Sequence, residues 1–305
     1  MTVERDGTVV VIGAGVAGLV AARALAAAGV GATVVEAGER VGGRLATWKG
    51  CDSGAQFFTV RSERFGELVD RWVAAGVARE WCRGFTDPPD GYPRYVGSAG
   101  MQTVADALAA GLDIRLGAAA ASVAPDAGRW CVECSNGGVL LGDAVVCTLP
   151  APAALGLLPR DNALARNRYL PTIALLALLD RSPSVPAPGG VQLTGGAISW
   201  IADNEAKGIS PRPAITVHAS PEWSSQHWDD ATVEALADLA GPWLGEARLV
   251  EARLVRWPHA QPVSPGRSRT VEVAPGLWCA GDGWGEARVE GAALSGWAAA
   301  DQIVS

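Results

Sequence analysis

Lysine is almost missing from this 305-residue chain: Lys49 and Lys207 are the only two, and the remaining basic residues other than histidine are arginines. Arginine suits forked recognition of phosphate and carboxylate, although genomic base bias also produces such a composition. Acids outnumber bases, giving a net charge of -7 and a pI near 5.1, and no basic patch compensates; a sequence-independent grip on nucleic acid is therefore not expected. The six cysteines, Cys51, Cys82, Cys131, Cys134, Cys147 and Cys279, follow no disulfide or metal spacing. Most sit in apolar runs where a small buried thiol fits, so a reduced, cytoplasmic chain is expected. The pair Cys131 and Cys134 lies in a strand-like run without a second ligand pair, which favours strand core over redox or zinc chemistry. Histidine is scarce too: His218, His227 and His259 are too dispersed for a local metal motif, and no metal is expected.

Long hydrophobic runs are also absent. Residues 14–35 form the longest apolar stretch, but Arg23, Gly29 and Gly31 interrupt it, which fits a helix and a strand better than a membrane span. Residues 1–7 are charged and lead directly into a strand, without the basic-then-apolar order of a secretory signal. No internal repeat or low-complexity tract is present, and no second Gly-x-Gly-x-x-Gly follows the first, so a separate nicotinamide-binding Rossmann unit is not expected.

With 49% hydrophobic and 19% charged residues, the chain has ample material for one large or two interleaved domains. Residues 8–12 are continuously apolar, the pattern of a strand buried on both faces of a parallel sheet. Small residues recur at helical spacing over 16–28, and residues 33–36 supply a second strand. An amphipathic helix is predicted over 62–77, and a loop or hairpin over the Pro-, Gly- and Asp-rich residues 82–93. Met101, Val104, Ala105 and Leu108 form a helical stripe, followed by strands near Ile114 and over 130–134 and 144–149, with Pro150 and Pro152 breaking the pattern. Residues 173–179, 197–202, 214–218 and 249–256 read as strands of a separate mixed sheet, with one helix over 229–244 among them. Residues 277–280 are a strand, 281–288 a loop, and Val289, Ala293, Trp297, Ala300 and Val304 mark a closing helix.

The motif that carries chemistry is Gly13-Ala14-Gly15-Val16-Ala17-Gly18 between the first strand and helix, with Glu36 at the end of the next strand. Gly13 permits a tight turn, Gly15 lets backbone approach a pyrophosphate, and Gly18 lets helix and strand pack. The helix start, at Val16 and Ala17, offers free N–H groups to an anion, and Glu36 with Ala37 stands where a ribose would hydrogen-bond. A purely structural glycine turn is the alternative. The extension Glu36-Ala37-Gly38-Glu39-Arg40-Val41-Gly42-Gly43-Arg44 resembles the second phosphate-contacting segment of the glutathione-reductase-like flavoproteins, especially the amine oxidases. That resemblance implies FAD, with Gly43 and Arg44 near the pyrophosphate; an ordinary surface arginine is the competing reading. Leu277-Trp278-Cys279-Ala280-Gly281-Asp282 resembles the last strand of the same flavoproteins. There Gly281 and Asp282 would meet the ribityl chain, and the helix starting at Val289 would point its N-terminus at the flavin ring. Asp282 as a plain turn residue is the alternative.

The match extends further. Asp52-Ser53-Gly54-Ala55-Gln56-Phe57-Phe58-Thr59, residues 95–101, Trp200-Ile201-Ala202-Asp203-Asn204 with Lys207, and residues 217–220, 223–224, 256–262 and 288–296 resemble renalase-like FAD oxidases over nearly the whole chain. The resemblance implies that Gln56 and Phe57 lie beside a non-covalent flavin and that Ala120 contacts the adenine, although residues 118–121 are alanines where relatives carry larger apolar side chains. It also implies oxidation of the 2- and 6-dihydro isomers of NAD(P)H to NAD(P)+, with O2 reduced to H2O2. Gln56, Phe57, Trp200, His218, Trp257 and His259 are candidates for the substrate wall, with aromatics to stack and amide or imidazole groups to orient a carboxamide; core packing is the alternative for each. The expected architecture is α/β: a Rossmann-like FAD-binding domain of three ββα layers (1–60, 95–160 and 265–305) with an inserted α+β substrate domain on a mixed sheet (61–94 and 161–264). A flavin amine oxidase or desaturase acting on a small CH–NH or CH–CH substrate is the rival. It ranks lower because such enzymes often place a lysine near the flavin, and neither Lys49 nor Lys207 stands beside a segment recognised as flavin-facing. A flavin-binding protein without turnover is a third reading.

Overall fold

The computed structural model describes residues 8–86, 88–158, 162–263, 265, 266 and 268–305; the charged opening at residues 1–7 lies outside the described residues. The first apolar run is β1 (Thr8–Ile12), followed by α1 (Val16–Ala27) and β2 (Gly31–Val35). Two-residue strands β3 (Thr47–Trp48) and β4 (Cys51–Asp52) make a tight hairpin before α2 (Glu63–Ala74). Phe65, Val69 and Trp72 form the buried stripe of α2. Next come the hairpin of β5 (Ala78–Cys82) and β6 (Arg94–Gly97), then α3 (Gln102–Ala109) and β7 (Asp113–Arg115). The antiparallel meander β8 (Ala120–Asp126), β9 (Arg129–Cys134) and β10 (Val139–Gly142) precedes β11 (Ala144–Cys147).

Pro150 and Pro152 do more than end that strand: Pro150 is the cap residue of α4 (Ala151–Ala154) and Pro152 sits in its first turn, where the missing N–H costs nothing. After α5 (Asn162–Arg166) the chain forms β12 (Tyr169–Leu179), β13 (Gly190–Gln192), β14 (Ile198–Asp203) and β15 (Ala214–Ala219). The single helix predicted over 229–244 is instead broken. After α6 (Pro221–Gln226) come α7 (Val233–Leu239), capped by the Thr232 side chain, and α8 (Gly241–Leu244), because Pro242 cannot supply a helical N–H. The chain closes with β16 (Leu249–Pro262), β17 (Thr270–Ala274), β18 (Leu277–Ala280) and α9 (Val289–Val304).

The chain divides into two units. Unit 1 comprises Met1–Gly43, Ala105–Tyr169 and Pro262–Ser305; unit 2 comprises Arg44–Val104 and Leu170–Gln261. Residues 44–60 and 95–104, read from sequence with the first domain, group with unit 2. The hydrogen-bonded pairing of β5 with β6 and of Phe58 with Tyr95 ties them there. Residues 162–169, 262 and 263 group with unit 1.

Unit 1 is built on a mixed six-stranded sheet in the order β17-β18-β11-β1-β2-β7, parallel throughout except for the β17–β18 pair. Val10, Ile12, Val145 and Cys147 pack in one cluster with Trp130, Val132 and Leu140 of the meander. Side chains alternate along a strand, so Val9 and Val11, equally buried, face the other way. Helices α1 and α9 pack on each other closely enough that a Cβ on Gly296 would overlap the Ala17 carbonyl oxygen. The result is the three-layer ββα arrangement of a Rossmann-like domain.

Unit 2 carries the sheet β13-β14-β15-β12-β16, in which the pairs β12–β15, β13–β14 and β14–β15 are antiparallel. One face presents Ile173, Leu175, Ile201, Ile215 and Val217 to Leu236, Ala240 and Leu244 of the helices. The other presents Ala174, Leu176, Leu178 and Ala214 to Cys51. By the same alternation Thr216 and His218 stand on this second face, and the register sets Trp200 opposite His218.

Replacing Gly296 by alanine forces α1 and α9 apart and is expected to lower unfolding free energy by about 1–3 kcal/mol, read from urea titration followed by circular dichroism. An unchanged midpoint would mean that this contact does not constrain the helices.

Candidate functional site

Each unit contributes its own polar constellation. In unit 1, Gly13 turns the chain out of β1 with φ +99° while its N–H donates to the Val35 carbonyl (2.8 Å). A Cβ on Gly18 would overlap the Gly13 carbonyl oxygen, and one on Gly13 would come within 2.8 Å of Thr148 Oγ1, so the turn admits only glycine at both positions. At Gly15, by contrast, a Cβ would meet nothing within 4 Å. That open space lies before the N-terminus of α1, whose first turn carries no acidic residue and whose cap residue supplies no side-chain bond, leaving its N–H groups available to an anion.

Glu36 is held across this turn: Oε2 accepts the Ala14 N–H (2.7 Å) and Oε1 the Gly38 N–H (2.9 Å). The second glycine-rich loop folds back on the first, through Gly42 N–H to the Ala14 carbonyl (2.8 Å) and Gly43 beside Gly15. The Ala118 N–H donates to the Glu36 carbonyl, which brings the approach to Ala120 and β8 next to the acidic residue. Beyond the carboxyl end of β18, the Gly281 N–H donates to Ser295 Oγ (2.7 Å). Buried Asp282 accepts the Tyr169 hydroxyl (3.2 Å), and Asn167 Nδ2 donates to the Gly283 carbonyl (2.7 Å). Gly13 and Gly281 thus follow the carboxyl ends of strands in one sheet, and Val289 opens α9 just past them, the place where α/β sheets take their ligands. Open space at Gly15, free helix donors and a fixed carboxylate fit a dinucleotide such as FAD.

Unit 2 is organised around a pair the sequence reading missed. Asp52, in the β3–β4 hairpin, accepts Lys207 Nζ on Oδ2 (2.8 Å), with both side chains at most 1% exposed. Its Oδ1 accepts the Met101 N–H (2.8 Å) and the Thr47 hydroxyl. Burial pushes the Lys207 ammonium below its ordinary value, and the Asp52 carboxylate opposes that shift. The expectation that Lys207 stands apart from the flavin-side segment is therefore corrected: folding brings it onto the first residue of the 52–59 segment. Its own stretch, Asp203-Asn204-Glu205-Ala206-Lys207, is polar and gave no sign of a buried pairing with Asp52.

The Asp52 carbonyl accepts Gln56 Nε2 (2.7 Å) and Thr216 Oγ1 (3.2 Å), and Gln56 Nε2 donates also to the Gly54 carbonyl (3.1 Å). His218 Nε2 lies 3.4 Å from Gln56 Nε2. Burial, reinforced by the Lys207 charge, pushes the imidazole down to about 4, so it is neutral at pH 7. Trp257 Nε1 donates to the Ser53 carbonyl (2.9 Å). His259 is held below its ordinary value by burial and by Arg44, whose Nη1 donates to the Ala260 carbonyl (2.9 Å). Phe57 and Trp200 join Trp81 and Phe85 in a cluster of rings with centroids 4.9–6.5 Å apart, and Arg94 lies over Phe57 and Phe85. Unit 2 thus gathers Gln56, Phe57, Trp200 and His218, with Trp257 linked through Ser53 and His259 grouped with Arg44. His227 belongs elsewhere, on the surface against Asp230. The Cys51 thiol is buried and pushed up to about 12, which makes it a poor nucleophile. Among the described residues no three His, Cys, Asp or Glu side chains are grouped to hold a metal.

A family profile described as flavin containing amine oxidoreductase matches residues 65–304, and one described as NAD(P)-binding Rossmann-like domain matches residues 11–72. Putrescine oxidase of Kocuria rosea is 47% identical over 72 residues, a segment spanning 24% of this chain and 12% of that protein. Among solved structures, a proposed protoporphyrinogen oxidase from Exiguobacterium sp. 255-15 is similar with a TM-score of 0.72 at 15% identity over 98% of each chain. A putrescine oxidase bound to putrescine gives 0.67 at 16% identity over 98% of this chain and 99% of that one. At such identities these two likenesses show the fold.

His218 generates a pH prediction. Its folded value lies below the unfolded one, so its neutral form favours folding above about pH 6.5, and that contribution is lost as pH falls towards 4. Wild-type unfolding free energy measured in urea should drop across this window by about 2–4 kcal/mol more than that of His218→Gln. Parallel pH profiles for the two proteins would contradict the buried neutral imidazole.

Proposed function

The chain belongs to the flavin containing amine oxidoreductase family, and from that premise we propose that it oxidises 2- and 6-dihydro isomers of NAD(P)H to NAD(P)+. FAD is its cofactor and supplies the two-electron acceptor; substrate, O2 and one proton give NAD(P)+ and H2O2. Unit 1 is assigned to FAD, with Gly13, Gly15, Val16, Ala17, Gly18 and Gly43 at the pyrophosphate, Glu36 and Ala37 at the ribose and Ala120 at the adenine. Gly281, Asp282 and Val289 are assigned to its flavin end, and Arg44, which follows Gly43, to the pyrophosphate. Unit 2 is assigned to the substrate, through Gln56, Phe57, Trp200, His218, Trp257 and His259.

The observation that carries this reading is the charge around those residues. Among the described residues of unit 2, the buried carboxylates are Asp52, bound to Lys207, and Asp203, which accepts the Glu205 and Ala206 N–H groups. Neither is left to balance a cationic amine. The charges near the rings and imidazoles are Lys207 with its partner Asp52, Arg94 with its partner Asp90, and Arg44, and the polar groups are a neutral amide, a neutral imidazole and indoles. Such surroundings favour an uncharged ring on an anionic dinucleotide over an ammonium. Hydride leaves a dihydropyridine carbon without an obligatory base, so these residues need only stack, orient and exclude water. A cytoplasmic location fits this substrate and the six cysteines, none of which is in a disulfide.

One observation favours the second reading, an amine oxidase: Lys207 lies against the 52–59 segment. Anaerobic mixing of the yellow protein with the 2-, 4- and 6-dihydro isomers of NADH, and separately with putrescine, decides between them. Flavin bleaching by the 2- or 6-isomer, then recovery in air with stoichiometric peroxide, is the expected result. Bleaching by putrescine alone would establish the second reading instead.

A further inference from the structure

Five buried side-chain atoms of unit 2, Gln56 Oε1, Arg94 Nε, Thr172 Oγ1, Trp200 Nε1 and Asn204 Oδ1, have no hydrogen-bond partner among the described residues, and two of them, on Gln56 and Trp200, belong to neighbours of His218 and are complementary in chemistry. Gln56 Oε1 is an acceptor and Trp200 Nε1–H a donor; both side chains are more than nine-tenths buried, and neither atom has a hydrogen-bond partner among the described residues. The Gln56 amide is not ambiguous in orientation. Its Nε2 already donates to the Asp52 and Gly54 carbonyls, and rotating it by half a turn would set its oxygen against both. The indole of Trp200 can only donate. The two residues are neighbours through His218, which stands opposite Trp200 in the β14–β15 register and next to Gln56, and through Phe57, whose ring lies 5.7 Å from that of Trp200. Buried polar atoms nearly always find partners, so a site with one unmet acceptor and one unmet donor points to a ligand group carrying the opposite pair.

We propose that Gln56 and Trp200 recognise a primary carboxamide, Gln56 Oε1 accepting its N–H and Trp200 Nε1–H donating to its carbonyl oxygen, and that they discriminate against the corresponding carboxylate. A carboxylate offers only acceptors and would set its charge against Gln56 Oε1. The imidazole beside them is kept neutral, and Arg94, the cation over Phe57, is engaged through both Nη atoms by the Asp90 carboxylate, so neither offsets that repulsion. This inference rests on unit 2 being the substrate unit and adds to it the part of the ring substituent that is read.

The test is calorimetric titration of the FAD-loaded protein at pH 8 with nicotinamide and with nicotinate, for wild type, Trp200→Phe and Gln56→Met. Wild type is expected to bind the amide at least about tenfold more tightly than the acid, and each variant to lose most of that preference. Trp200→Phe removes an unpartnered buried donor while keeping an aromatic ring, so it serves as the deciding variant if Gln56→Met fails to fold. Equal binding of amide and acid by wild type, binding of neither, or a preference unchanged in both variants overturns the inference. Amide preference without flavin bleaching by any dihydro isomer would overturn the oxidase reading and leave this one standing.

Discussion

A carboxylate and an ammonium taken wholly out of water must satisfy each other, and the Asp52–Lys207 pair imposes that demand on unit 2. Lys207 reaches one carboxylate oxygen, and the Met101 N–H and the Thr47 hydroxyl reach the other. Gly100, at φ +103°, passes so close that a Cβ there would sit within 2.6 Å of Thr47 Oγ1, so the turn before Met101 is shaped to this cluster. Separated stretches of chain are thereby fixed around one residue: the β3–β4 hairpin, the start of α3, the loop after β14 and, through the Asp52 carbonyl, Gln56 after β4 and Thr216 in β15. The polar atoms proposed to meet substrate inherit their positions from that arrangement.

Unit 1 solves a different problem with backbone instead of charge. Its glycines let chain pass where no side chain fits, at Gly13, Gly18 and Gly296, and the space left at Gly15 lies at the N-terminus of α1, where no side chain caps the helix. Glu36 and Asp282 are each fixed by protein donors, so the cradle is ordered by its own bonds. A diphosphate is bound best by many small fixed dipoles, whereas a neutral ring is held best by aromatic surface and a few directed hydrogen bonds. The two units supply one set each.

Much of this was legible in the chain. Continuous apolar runs gave β1, β11 and β18, and the 3.6-residue stripe gave α1, α2, α3 and α9, because elements buried on a long face leave an unbroken pattern. The strands β8, β10, β13 and β17 were not expected, since they are short or half-exposed and carry little periodicity. Pro242 warned of a break that the apolar spacing over 229–244 concealed. Gln56, Phe57, Trp200 and His218 were grouped as candidates for one wall, but the Asp52–Lys207 pair that fixes their surroundings was not identified, because it joins residues 155 positions apart. Local pattern records which face of an element is buried; it does not record which distant charge that face will meet.

The most direct test of this dependence is a double-mutant cycle on unfolding free energy with Asp52→Asn, Lys207→Met and the two combined. Each single change leaves one buried member without its partner and is predicted to cost about 3–5 kcal/mol, whereas the double change should cost clearly less than the sum of the two. Costs that simply add would mean that the pair is not coupled, and that the site in unit 2 is held by something else.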